Sequence, residues 1–247
     1  MGARSDRTQD PEIIAALLLA RRGQAFFSRK LAELRDAELD EPSLLSGWTR
    51  RHVIAHVGLN ARALTRLTEW AATGVETPMY DSPEARDAEI EFAATLPTRA
   101  LRHLSAHAAV HLDVEWRDLD PGAWEAVVRT AQGREVPATE TIWMRTREVW
   151  IHAVDLDNGA TFRQFPPELV DGLLTDVERV WHRKHSGPIP VLEPTDRPAR
   201  TREPAADGAP RVRGRAADLA RWATGRGGVA PLERVGGGPV PDVLSWL

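Results

Sequence analysis

In the stretch REVWIHAVDLDNG, residues 147–159, a carboxylate and an imidazole, Glu148 and His152, stand four residues apart among tryptophan and aliphatic side chains. Positions i and i+4 of a helix share one face, and a glutamate is rarely buried without a partner. An apolar helix carrying this pair needs something to compensate the charge, and a cation is the candidate. One pair does not make a site. A second pair at the same spacing, His52 and His56, occurs in RRHVIAHVGLNA, residues 50–61, and facing helices of a bundle are a recurrent way to build a metal centre.

At about 100° per residue, the apolar face of that second helix is formed by Val53, Val57, Leu64 and Leu67. His56 falls near the edge of this face and His52 farther out, so His56 is the inward candidate and His52 a rim residue. Two imidazoles and one carboxylate with a position left open match a catalytic zinc site better than a closed structural one. Spacing alone leaves the plainer reading standing, because such pairs arise by chance and a histidine on a helix edge can simply be hydrogen-bonded. His103, His107 and His111 form another stripe. It extends about 12 Å at 1.5 Å per residue, too long for one ion, and reads as a solvated face.

Three further residues are open at this level. Asp155, three residues after His152, can orient that imidazole or cap its own helix. Asn60 can be a polar group near the metal or an interhelical hydrogen bond. Arg226 follows Gly225 at a helix end, where it can pair with terminal carbonyls or clamp a carboxylate bidentately.

The whole chain fits a globular protein: 247 residues, 42% hydrophobic, 28% charged, net charge −4. That excludes a disordered chain and a basic nucleic-acid-binding surface. No apolar run nears the roughly 20 residues of a membrane span, and IIAALLLA at 13–20 is flanked by Glu12 and Arg21, unlike a signal peptide. A cytoplasmic protein is expected, with no nucleic-acid or membrane partner. Cysteine is absent, so disulfides, thiolate metal sites and a protein thiol nucleophile are excluded, and any thiol chemistry must use an imported thiol.

Helix signals run through the first three quarters of the sequence. Asp10 and Pro11 open a helix ending near Leu34, and Ser46 or Thr49 caps a second one stopped at Gly74. The loop at 75–83 leads to an acidic helix from Pro83 to about Ala94. Pro97 opens a helix through Trp116, closed by DLDPG, and 124–136 reads as a strand pair turning at Gln132 and Gly133. Helices follow from Pro137 to about Asp155 and from Pro166 to about Lys184. A proline-rich stretch at 186–210 then marks a domain boundary. Domains 1–186 and 187–247 are expected, the second a small α/β unit with strands in PVLEP and PRVRGR and a helix at 216–225.

Together LLSGWTRRHVIAHVGLNA (44–61), TGVETPMYDSPEARDAEI (73–90), TAQGREVPATETIWMRTREVWIHAVDL (130–156) and WATGRG (222–227) resemble the mycothiol-dependent maleylpyruvate isomerases of the DinB-like superfamily of metal-binding bundles. The resemblance spans nearly the whole chain in order, and is weakest across 186–215. It implies an α+β protein, with an N-terminal four-helix bundle, a smaller C-terminal α/β domain and the site between them. It also implies zinc on His56, Glu148 and His152, with Arg226 as the functional arginine of the second domain.

The activity implied is isomerisation of maleylpyruvate to fumarylpyruvate in gentisate catabolism. A zinc-activated mycothiol thiolate adds to the cis double bond, the bond rotates, and elimination follows. Arg226 would hold a carboxylate of this dicarboxylate substrate and stabilise the developing enolate. Two alternatives differ in kind: a zinc- and thiol-dependent transferase or detoxification enzyme of the same superfamily, and a non-enzymatic zinc-bundle ligand sensor.

Overall fold

Capping chemistry sets the first boundaries of the structure, a computed structural model that describes residues 5–198 and 208–246. Asp10 accepts hydrogen bonds from the Glu12 and Ile13 backbone amides and opens helix α1, Pro11–Glu33. Thr49 opens α2, Arg50–Thr73, which ends where Gly74 takes the left-handed conformation, φ 73°, one that glycine adopts without steric cost. Ser82 caps α3, Pro83–Ala94, and Pro97 precedes α4, Thr98–Asp118.

Strands β1, Val127–Arg129, and β2, Glu135–Pro137, pair antiparallel, with Val128 opposite Val136, and turn at Gly133, φ 76°. Helix α5, Glu140–Asp155, starts later than the proline at 137 suggested. Pro137 closes β2, and the next two amides continue the pairing by donating to the Ala126 and Trp124 carbonyls. A proline that ends a ladder removes no needed donor.

Helices α1, α2, α4 and α5 form the four-helix bundle. α2 packs on α4 and α5, α1 packs on α5, and α3 lies against α2. Two glycines permit the closest approaches. A Cβ on Gly23 of α1 would sit 2.4 Å from the Trp150 ring nitrogen of α5, and one on Gly58 of α2 would sit 3.2 Å from the Ser105 Cα of α4. Between them lies an apolar core that includes Leu17, Leu64, Leu67, Leu112, Trp116 and Trp124, all at most 3% exposed.

Residues up to Gly159 form one compact unit and those from Ala160 onward a second. This division falls earlier than the 186/187 boundary expected from composition. Helix α6, Pro167–Lys184, packs on α7, Ala216–Ala223, and the Trp181 and Trp222 rings meet edge-on at 5.9 Å. The proline-rich stretch marks where helical periodicity stops, not which unit the preceding helix packs against. Part of it, 199–207, lies outside the described residues. In the second unit β3, Val191–Pro194, runs parallel to β4, Arg211–Gly214, and β4 pairs antiparallel with the short β5, Glu233–Arg234. The architecture is α+β, as expected. Among the described residues no helix is long and apolar enough to cross a membrane.

Candidate metal centre

Helices α2 and α5 bring His56, Glu148 and His152 together in the bundle. Glu148 Oε2 lies 2.8 Å from His56 Nε2 and 3.0 Å from His152 Nε2. The two imidazole rings meet nearly perpendicular, 4.7 Å apart, and the Trp48 ring stands 5.6 Å from that of His56. His56 and His152 are each buried, at 7% exposure. The three ligand atoms lie within 4.8 Å of one another.

The ends of both helices are locked to one another. Arg50, the first residue of α2 and itself buried, donates to the carbonyls of Leu156 and Asp157 just past the end of α5. It also reaches the Glu38 carbonyl and the Glu41 carboxylate. Asp155, fully buried, accepts from His152 Nδ1 at 2.8 Å. That bond fixes the ring and leaves Nε2 facing Glu148.

Burial opposes the charge on Glu148, but the flanking imidazoles outweigh it and hold the carboxyl well below its usual range. Burial also works against the imidazolium of His152, and hydrogen bonds to Asp155 and Glu148 overcome it, raising the group to about 9. For His56 burial wins over Glu148 and lowers the pKa.

These residues fit a divalent ion. Tetrahedral zinc at 2.0–2.2 Å from each donor needs donor–donor separations of about 3.3–3.6 Å, so the two imidazole–carboxylate gaps need to open by only about 0.5 Å. The donor set of two imidazoles and a carboxylate suits zinc.

The rim candidate is accounted for differently. His52 Nδ1 accepts from the Thr49 backbone amide at 3.2 Å, and Nε2 lies 3.3 Å from the exposed Glu91. It closes the start of α2 instead of facing Glu148. His103, His107 and His111 are exposed, and a second grouping, Glu69, His111 and Glu115, lies on that solvated side. Asn60 takes the interhelical role, since its Oδ1 accepts from Arg145 at 2.9 Å.

Neither Arg145 nor Tyr80 stands out as a candidate site residue in the sequence. Arg145 is 2% exposed and donates to the Val57 carbonyl, Asn60 and Gln24. Burial lowers its pKa to about 10, so it remains charged at neutral pH and supplies positive potential one turn from Glu148. Its signal was present: a charged residue at i−3 from Glu148 in the same oily helix. Tyr80, the chain's one tyrosine, follows Met79, whose carbonyl accepts from Arg66 at 2.6 Å. Nothing local in the 75–83 loop marks it.

Replacing Arg145 by Met is expected to take the donor from the buried Asn60 Oδ1 on α2 and from the half-buried Gln24 Oε1 on α1. The cost is about 1.5–3 kcal/mol, read by denaturant unfolding. A change below about 0.5 kcal/mol, the size of an ordinary surface substitution, would show that these bonds do not hold the helices.

Arg226 lies in the second unit. Its backbone amide donates to the Arg221 carbonyl at 2.9 Å and its Nη1 to the Thr224 carbonyl at 2.7 Å, with Gly225 at φ 75°. The helix-capping arrangement is therefore present at the end of α7.

Residues 20–157 match the family model of the mycothiol maleylpyruvate isomerase N-terminal domain, a span that ends close to the limit of the first compact unit. A crystal structure of a mycothiol-dependent maleylpyruvate isomerase is similar to this chain at 47% identity, TM-score 0.88, over 95% of this chain and 97% of that one. A crystal structure of a histidine-to-alanine mutant of such an enzyme is similar to the same extent. No curated protein matches the chain. With more than half its residues within the family model and near-complete coverage of a solved member at 47% identity, the chain belongs to the mycothiol-dependent maleylpyruvate isomerase family.

Proposed function

We propose that this chain converts maleylpyruvate to fumarylpyruvate, using zinc on His56, Glu148 and His152 and mycothiol as thiol cofactor. The observation that carries the reading is the convergence of those three ligand atoms, two of them on buried imidazoles, in a chain similar over 95% of its length to a mycothiol-dependent maleylpyruvate isomerase. Zinc bound there lowers the pKa of a thiol that reaches it, so that thiolate is present at neutral pH. The chain's own groups hold and orient: Asp155 accepts a hydrogen bond from His152 Nδ1–H, which would leave the Nε2 lone pair for an ion. Trp48 walls the His56 side.

A cis bond conjugated to carbonyls becomes single while a thiol is added across it. It can then rotate, and it returns as the trans bond when the thiol leaves. A reduced thiol is maintained in the cytoplasm, which is where this reaction belongs. The domains proposed for this function are 1–186, the metal-binding bundle, and 187–247, a small α/β unit; by packing alone α6 goes with the second compact unit. Proton NMR of the product tests the reaction class. The trans isomer should accumulate with mycothiol recovered unchanged, whereas a thiol adduct as final product would favour a transferase of the same superfamily.

Arg226 is the residue proposed to hold a substrate carboxylate. The cap contact it makes is worth only about 0.3–1 kcal/mol, so Arg226→Ala is expected to change melting little. Losing a charge-assisted clamp costs about 1.5–3 kcal/mol, at least about tenfold in kcat/KM. Arg226→Lys should recover part of the rate, since lysine keeps the charge without the planar fork. Unchanged kinetics in Arg226→Ala would return the residue to a capping role.

A further inference from the structure

The loop before α3 and the first turns of α3 cover the His56 side of the metal centre with groups that the reaction described so far does not use. Arg86 brings Nη2 to 3.4 Å from His56 Nδ1, while its Nη1 donates to Asp87 at 2.7 Å. The Asp87 side chain is 68% exposed, so that pair is screened by water and holds the guanidinium weakly. Tyr80 hydrogen-bonds to the same arginine, and burial pushes its phenol up to about 12. The phenol is therefore neutral at working pH. Its oxygen accepts from Arg86, since a guanidinium only donates, and its own O–H proton remains to be given.

Ligation changes the requirement at this spot. An imidazole that gives its Nε2 lone pair to a cation carries its proton on Nδ1. His56 Nδ1–H and Arg86 Nη2–H then face each other as two donors, with the Tyr80 O–H nearby. Two facing donors, on an arginine that the Tyr80 phenol also bonds, call for an oxygen acceptor, and a carboxylate supplies two oxygens with the charge that matches arginine.

We propose that Arg86 and Tyr80 form a carboxylate-binding pair beside the metal centre, holding one end of the substrate. A dicarboxylate presents such a group at each end. The identity of the carboxylate's owner rests on the maleylpyruvate reading, but the binding pair itself does not.

The test uses the zinc-loaded full chain and maleate, an unreactive dicarboxylate, as calorimetric probe. Arg86→Gln is expected to weaken maleate binding at least about tenfold, the effect of losing one charge-assisted contact. Zinc content and melting temperature should stay at wild-type levels, and KM for maleylpyruvate should rise more than kcat falls. Arg86→Lys should recover part of the affinity, and Tyr80→Phe should show a smaller loss.

Maleate affinity unchanged in Arg86→Gln with zinc retained would overturn the proposal, as would a wild type that binds no maleate. Loss of zinc in both Arg86 variants would overturn it too, making Arg86 a positioning residue for His56. A wild type that binds maleate through Arg86 yet does not isomerise maleylpyruvate would keep the carboxylate site and sink the proposed function instead.

Discussion

Glu148→Ala is expected to lose both metal and turnover. The carboxylate is the common neighbour of both imidazoles, 2.8 and 3.0 Å away, and its removal leaves two ligands where an open zinc site uses three. Even an outer partner of a zinc ligand is worth about 10–100-fold in affinity, so loss of a ligand itself should reduce metal content from about one ion per chain to trace levels. His56→Ala should behave in the same way.

His52→Ala, despite the matching spacing, should keep its metal, because that side chain serves Thr49 and Glu91. The expected cost is only that of a helix cap, about 0.5–2 kcal/mol. Asp155→Asn should retain metal with affinity lowered within that 10–100-fold range. Metal analysis after gel filtration reads all four. Zinc retained in His56→Ala and lost in His52→Ala would invert the assignment of faces on α2.

Turnover without added thiol is expected to be undetectable. The chain has no cysteine, and no other side chain offers a sulfur nucleophile, so the thiol must come from outside. Chelator treatment should stop the reaction in the presence of thiol, and zinc should restore it. Full activity in thiol-free buffer would remove the addition–elimination route altogether, because a cis double bond would then be rotating without having been made single.

Much of this was legible in the chain because local signals and tertiary packing agreed. Asp10 with Pro11, Thr49 with Gly74, and Ser82 with Pro83 mark helix limits through caps whose chemistry is short-range. The convergence of His56 with Glu148 and His152 was legible because the 3.6-residue period separates His56 from His52 by face. The period gives direction around a helix but no partner, so it could not show that Arg50 closes the end of α5 or that Asn60 faces Arg145. Tyr80 was hidden for a related reason: a loop has no period, and what its residues cover depends on where the two flanking helices leave it; Arg86, on α3, carries no sign of its neighbour His56 on α2. The packing partner of α6 was not legible, because composition records where a helix ends and not that Trp181 meets Trp222 edge-on.

The most direct test of a zinc- and thiol-dependent isomerase is the rate of maleylpyruvate absorbance loss, with zinc-loaded protein and mycothiol varied from none to saturation. The rate should rise from zero to a plateau, with mycothiol recovered in full at the end. A substantial rate at zero mycothiol, or consumption of one thiol for each maleylpyruvate lost, would contradict it.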